Sequence, residues 1–339
     1  MSASQMSLEA DEAAEAVRRL LATERVSLEA AANVLAAATG PLTTAARGSS
    51  DHAMTAFKYA CEIMLARPVA SLGPSVASVY GTALKLPGGV HLTVSQSGVS
   101  PDIVALQAAA ARGGAKTIAV VNVADSPLAR AADLVVSIQA GEEKSVAATK
   151  SFIASCAALF AIVAGACADH ALKAGLEALP EALDALAPES TDALAQTLAK
   201  AQSLYVTGRG PAFGVALEAA LKAKETAGIH AEAFSSAELM HGPLQLVQPG
   251  FPVVVFAAED ASFNGMVETI DRLRAMGGVV LPISTAELAG GIRTPSTGHA
   301  VTDTLVFVLT WYRAIEKAAQ LRGLDPDKPA NLRKVTETV

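Results

Sequence analysis

Apolar residues in this chain fall into two kinds of run. Some recur at helical spacing: Leu20 and Leu21, then Leu28, Val34 and Leu35, so residues 7 to 39 read as two short helices. Others are short, continuous and bounded by Gly or Ser, as strands buried on both faces are. Residues 42 to 47 read as such a strand, followed by Gly48-Ser49-Ser50 and a helix from about 51 to 66. Val90-His91-Leu92-Thr93-Val94 is a strand running into Ser95-Gln96-Ser97-Gly98. A helix from Pro101 to Arg112 follows, ended by Gly113-Gly114, and then the strand Lys116 to Val121. Strand, glycine-bearing turn, helix, strand is the order of parallel βαβ units.

The second half repeats that order. Leu204-Tyr205-Val206-Thr207 leads into Gly208-Arg209-Gly210 and a helix, and Pro252 to Phe256 and Val279 to Ile283 are further strands. The offset stays near 160 to 162 residues at Gly48 and Gly208, Val90 and Pro252, Thr117 and Val279. A constant offset is what duplication leaves behind, so the expected fold is α/β, with two doubly wound parallel-sheet domains related by internal duplication. The expected boundaries are N-terminal helices over 1–40, a first domain over 41–175, a connecting segment over 176–199, a second domain over 200–325 and a tail over 326–339. The connecting segment carries Pro180 and Pro188.

Composition narrows the function. The 339 residues are 51% apolar but only 4% aromatic, and Ala-rich sequence of this kind favours helices packed on sheets. A net charge of −7 argues against nucleic acid or an anionic membrane as partner. Cys156 and Cys167 lie on one face of a helix but about 16 Å apart along it, too far for a disulfide. With no basic, apolar leader, a cytoplasmic protein is expected. Phe152 to Ala168 is the longest apolar run, and its Ala, Ser, Cys and Gly content reads as a buried helix rather than a membrane span.

Candidate chemistry begins at the loop from Ser95 to Ser100. Ser100 suits an N-cap, Pro101 the first helical position and Asp102 the first turn. The helix start offers unpaired N–H groups and partial positive charge, and Ser95, Gln96, Ser97 and Ser100 offer side-chain donors, so an anion fits here. Three or four charge-assisted hydrogen bonds give roughly 5–10 kcal/mol gross. Immobilising a ligand costs about 4 kcal/mol or more, so a phosphate alone would bind weakly. No Lys or Arg lies in the loop, which points to a neutral cradle; an ordinary polar strand-to-helix loop stays open as the alternative. Ser49 and Ser50 add hydroxyls at the corresponding end of a parallel strand. Gly208, Gly210 and Gly214 resemble a dinucleotide fingerprint, but with the third glycine one place late. The six His residues show no HExxH spacing and no Cys/His cluster, so no metal is expected.

Glu218, Lys222 and Glu225 fall within a ~60° arc of one helix. On an exposed helix such a set is an ion-pair ladder, but its surroundings are Ala- and Leu-rich. His241 stands between Met240 and Gly242-Pro243, a setting that suits a structural His as well as a catalytic one. On composition alone the tail from Asp325 to Lys334 reads as a frayed end.

Resemblance bears on these open choices. Ser95-Gln96-Ser97-Gly98, the stretch Glu142 to Lys150, Leu221-Lys222-Ala223-Lys224-Glu225 and Ile229-His230-Ala231-Glu232-Ala233 each resemble motifs of one family. So do Glu238-Leu239-Met240-His241-Gly242-Pro243-Leu244 and Pro329-Ala330-Asn331-Leu332-Arg333-Lys334. The family is the isomerase half of glutamine–fructose-6-phosphate aminotransferase, a double sugar-isomerase (SIS) domain, and the ordered motifs span most of residues 40 to 339.

The resemblance implies that Ser50, Ser95, Gln96, Ser97 and Ser100 bind a phosphate, with Ser49 and Val146 lining the sugar. It implies that Glu225 moves a proton between C1 and C2, that Lys222 stands near the reacting carbons and that His241 opens the sugar ring. His241 would act in the neighbouring subunit's site of a homodimer, and Lys334 would form a Schiff base with a ketose. Arg47 departs from the family's Cys, Val99 from an acidic residue, Ala148 from a hydroxyl residue and Met240 from a Lys. No Cys precedes Cys61, so a glutaminase nucleophile is not expected. The expectation is therefore a phosphosugar deaminase/isomerase, taking glucosamine 6-phosphate to fructose 6-phosphate and ammonia without a cofactor. The alternatives are a ketose/aldose isomerase or deglycase on another sugar 6-phosphate and, from a different class, a non-catalytic sugar-phosphate sensor.

Overall fold

The computed structural model describes residues 3–334. Its N-terminal part holds α1 (Gln5–Asp11), α2 (Ala13–Thr23) and α3 (Arg25–Ala37), so the first of the two expected helices is divided near Glu12. The first half continues with β1 (Leu42–Ala45), α4 (Ser49–Met64), β2 (Val69–Ser71) and α5 (Ser75–Ser78). Then come β3 (Val90–Ser95), α6 (Pro101–Arg112), β4 (Lys116–Val121), α7 (Pro127–Arg130) and β5 (Leu134–Ser137). Three helices follow: α8 (Lys150–Ala166), α9 (His170–Asp184) and α10 (Asp192–Lys200). The expected connecting segment is thus largely helical, with Pro180 inside α9.

The second half holds β6 (Ser203–Gly208), α11 (Pro211–Ala227), β7 (His230–Ser235) and α12 (Ser236–Leu239). After it come β8 (Pro252–Ala257), α13 (Phe263–Ala275), β9 (Val279–Ser284), β10 (Ile292–Arg293) and α14 (Ala300–Leu321). No helix among the described residues is long and apolar enough to cross a membrane.

Two five-stranded parallel sheets result, ordered β2-β1-β3-β4-β5 and β7-β6-β8-β9-β10. The orders are the same when each sheet is read from its own first strand, as duplication requires. The match is local as well. Gly48 (φ 56°, ψ −132°) before α4 and Gly210 (φ 56°, ψ −135°) before α11 adopt the same left-handed turn. Gly210, rather than Gly208, is therefore the counterpart of Gly48, and the first landmark joins the other two at an offset of 162. Gly208 serves packing instead: a Cβ there would lie 2.6 Å from the Ala212 carbonyl oxygen. That removes one leg of the dinucleotide pattern.

The chain divides into two compact units. One comprises Glu15–Glu143 and Lys150–Glu177, and contains the first sheet. Helix α8 is its buried spine, with Phe152, Ile153, Leu159, Phe160 and Ile162 almost fully enclosed against α3 and α4. The other comprises residues 3–14, Lys144–Thr149 and 178–334, and contains the second sheet. Here α14 packs on α11 and α10 and buries Phe307, Trp311 and Tyr312. Burying a Phe stabilises by about 1.5–3 kcal/mol. The Phe256–Phe307 ring pair, 6.3 Å between centroids, adds roughly 0.5–1.5 kcal/mol.

Candidate active site

In the first unit, β1 and β3 are neighbours, paired from Leu42 with Val90 to Ala45 with Thr93. Both strands end at the same edge of the sheet, and each feeds a helix: β1 into α4 at Ser49, β3 into α6 at Pro101. Two helix N-termini, with their unpaired N–H groups, therefore open on adjacent strands about 5 Å apart. Ser49, Ser50, Ser95, Gln96, Ser97 and Ser100 are all half-buried there. The Ser95 hydroxyl accepts the Gly98 N–H at 3.0 Å, which folds the loop and leaves its own proton to donate. Gly98 has φ +65°, and a Cβ there would lie 2.1 Å from Ser126 Oγ, so only Gly closes this turn. Ser100 takes the expected N-cap position but makes no side-chain capping bond.

Sequence reasoning left the cradle neutral, and here the structure adds a charge. Arg47 donates from Nε and Nη2 to Asp102 Oδ2, at 3.1 and 2.6 Å. The Asp102 side chain is fully buried while that of Arg47 is 51% exposed. No spacing rule connects residues 47 and 102; their pairing is a product of strand order.

In the second unit, α11 carries the charged set. Lys222 Nζ lies 3.3 Å from Glu218 Oε1 and donates a hydrogen bond to Glu225. The Tyr312 hydroxyl on α14 donates to Glu218 Oε1 at 3.1 Å. Glu218 and Lys222 are buried, whereas the Glu225 side chain is 21% exposed. This is no solvated ladder: only its last carboxylate reaches solvent. Burial pulls the Lys222 ammonium toward deprotonation, but Glu218 and Glu225 outweigh it and raise its pKa. Lys222 is thus a fixed cation at neutral pH. Tyr312 is a member that sequence reasoning missed, lying on a helix remote along the chain.

Glu9 on α1 is another. Its buried carboxylate accepts the backbone N–H groups of Lys144 and Ser145, and the Gln5 side chain as well. It thereby anchors the stretch that holds half-buried Val146. Asp327 accepts the N–H groups of Gln5 and Met6, both at 2.7 Å, so the tail caps the start of α1 instead of fraying from it at that point. Lys334 is half-buried; residues 335–339 of the expected tail lie outside the described residues. His241 sits just before a short 3₁₀ turn (Gly242–Leu246), and its exposed ring makes no hydrogen bond among the described residues. No hydrogen bond or ion pair among the described residues links it to Lys222 or Glu225.

The sequence profile of the SIS domain matches residues 41–164 and 197–289, one segment for each sheet. The chain belongs to the SIS domain family. Among curated relatives, glutamine–fructose-6-phosphate aminotransferase (isomerizing) from Thermococcus kodakarensis is 36% identical over 259 residues, covering 72% of this chain and 43% of the relative. The Bradyrhizobium diazoefficiens enzyme of the same name is 33% identical over 335 residues, covering 93% and 54%. The chain spans about half the length of these relatives and corresponds to their isomerase domain.

A crystal structure from Silicibacter pomeroyi DSS-3, provisionally described as a phosphosugar isomerase, is 42% identical. Its TM-score is 0.87, and the match covers 96% of this chain and all of that one. Glucosamine-6-phosphate deaminase from Thermotoga maritima (TM-score 0.81, 21% identity, 99% and 100% covered) shares the SIS fold. These kinships place the chain among the SIS-family enzymes.

Proposed function

We propose that this SIS-family chain is a phosphosugar deaminase/isomerase that converts glucosamine 6-phosphate to fructose 6-phosphate and ammonia. The observation that carries the reading is a solvent-reaching carboxylate, Glu225, held against a buried permanent cation, Lys222. Such a pair suits proton transfer next to a carbon that gathers negative charge.

The sugar's phosphate is held by the hydroxyls and N–H groups of Ser50, Ser95, Gln96, Ser97 and Ser100, with Ser49 and Val146 against the sugar. His241 opens the pyranose by moving a proton between the C1 hydroxyl and the ring oxygen, a general acid–base role for an imidazole. Glu225 takes the C2 proton and returns it to C1. The electron pair passes through an enolamine to a C2 imine, and water replaces the nitrogen, releasing ammonia. Lys222 offsets the charge on the C1 oxygen electrostatically. Lys334 is the amine that holds a ketose product as a Schiff base. His241 is assigned to the neighbouring subunit's site in a homodimer, a role that its exposed ring, without a hydrogen bond among the described residues, leaves open. A cytoplasmic setting accords with three free thiols.

The Silicibacter relative favours a second reading, aldose–ketose isomerisation of a sugar phosphate without nitrogen, which uses the same proton transfer. A sensor without catalysis has no use for a carboxylate and a buried cation paired in this way. Purified protein given glucosamine 6-phosphate should release ammonia, and the Glu225→Gln variant should not. Equal release from both overturns the mechanism.

A further inference from the structure

The cradle as described takes a dianion with hydroxyls and backbone N–H groups alone. A first-turn carboxylate, Asp102, already occupies the positive end of α6. A carboxylate there competes with an incoming phosphate for the same dipole. Arg47 changes the balance, since its guanidinium lies on Asp102 through two hydrogen bonds. Asp102 is held in turn by the Ile103 N–H at 2.8 Å. The position of Arg47 follows from the register. Ala45 pairs with Thr93, so two residues further on Arg47 is level with Ser95, the first cradle residue, and directly precedes Gly48-Ser49-Ser50. Half of its side chain stays exposed although its carboxylate partner is fully buried. With Nε and Nη2 on Asp102, Nη1 is the guanidinium nitrogen that remains for a ligand, although the Asp51 carboxylate also feels the Arg47 charge.

We infer that Arg47 is a specificity-determining residue of the cradle: a cation clamped by Asp102 that selects a phosphate dianion at the mouths of α4 and α6. This inference rests on the reading of the cradle as the phosphate site. Its physical content is that affinity depends on ligand charge more than a neutral cradle allows, because a planar guanidinium offers paired donors to phosphate oxygens. Asp102 then serves to fix the guanidinium, which would otherwise lose that position to solvent.

The test is calorimetric binding of inorganic phosphate to the full chain and to Arg47→Ala, Arg47→Lys, Asp102→Asn and the Arg47→Ala/Asp102→Asn double variant. Cooperative thermal unfolding of each variant is checked first. Arg47→Ala should weaken phosphate binding about 10- to 100-fold. Arg47→Lys should fall between it and the wild type. Asp102→Asn should also bind phosphate more weakly than the wild type, though less so than Arg47→Ala, since the guanidinium loses the carboxylate that fixes it but keeps its charge. The double variant should stay as weak as Arg47→Ala.

Unchanged phosphate binding in Arg47→Ala, or wild-type binding restored in the double variant, overturns the inference, because Arg47 would then do no more than neutralise Asp102. If Arg47→Ala does not fold, Arg47→Lys and Asp102→Asn carry the same decision. A wild-type protein that binds no phosphate overturns the cradle reading itself, an outcome distinct from either of these.

Discussion

Lys222 donates to Glu225 one turn along the same helix, with the Glu218 carboxylate 3.3 Å away. One cation thus serves two carboxylates in different surroundings: Glu218 is wholly buried, and Glu225 reaches solvent. A proton acceptor must meet its substrate, so the chemistry falls to Glu225. Glu225→Gln should keep the fold, since Lys222 retains Glu218, and should slow turnover by about 10²–10⁴-fold. Steady-state ammonia release alongside a thermal melt checks both halves of that statement.

The buried end of the cluster is a matter of stability. Lys222→Ala takes the buried Glu218 carboxylate's cation away, and should cost about 3–5 kcal/mol. Tyr312→Phe removes one donor from the same carboxylate and should cost about 1–3 kcal/mol. Urea unfolding of both variants measures this. A Tyr312→Phe change that cost more than Lys222→Ala would reverse the assignment of the cation as the principal partner.

Glu9 should act at a distance from the chemistry. Removing its carboxylate in Glu9→Ala leaves the Lys144 and Ser145 N–H groups without their acceptor, at about 1–3 kcal/mol for a buried group. The anchored stretch carries Val146, so KM should rise several-fold while kcat changes little. Glu9→Gln, which keeps one acceptor oxygen, should fall between. An unchanged KM would remove the link from Glu9 to the sugar.

Much of the fold was legible because it is written in local chemistry. The bounds of α6 and β4 agree with the sequence expectation to the residue: Pro101 starts the helix, and Gly113-Gly114 ends it. The outer strands were harder. His230 to Ser235 is an edge strand in which only the first three positions alternate exposed and buried, and its Glu, His and Ala content gives no β signal. In the site, hydroxyl-rich loops announce themselves. What does not is any pairing made by topology: Arg47 with Asp102, Tyr312 with Glu218, Glu9 with Lys144 and Ser145. Periodicity shows which residues share a helix face, but it cannot show which of many glutamates on Ala-rich helices will be buried.

Acid should weaken the first unit through His91. Its side chain is fully enclosed, with Nδ1 2.9 Å from Thr43 Oγ1, and burial lowers its pKa from 6.5 to about 4. The folded chain therefore keeps the imidazole neutral where the unfolded chain takes up a proton. Stability should fall as pH drops from 6.5 towards 4, by about 3 kcal/mol at full effect. Unfolding free energies across that window, for the wild type and His91→Gln, provide the check. Parallel curves for the two proteins would contradict the assignment.

The most direct test of the central claim is proton NMR in D₂O with glucosamine 6-phosphate, extended to a panel of hexose 6-phosphates. A carboxylate that carries a proton between C2 and C1 should exchange it with solvent, so deuterium should enter C1 of the product or C2 of recovered substrate. Glu225→Gln should abolish that incorporation. Turnover with no deuterium at either carbon, or incorporation that Glu225→Gln leaves untouched, would show that Glu225 does not move the proton.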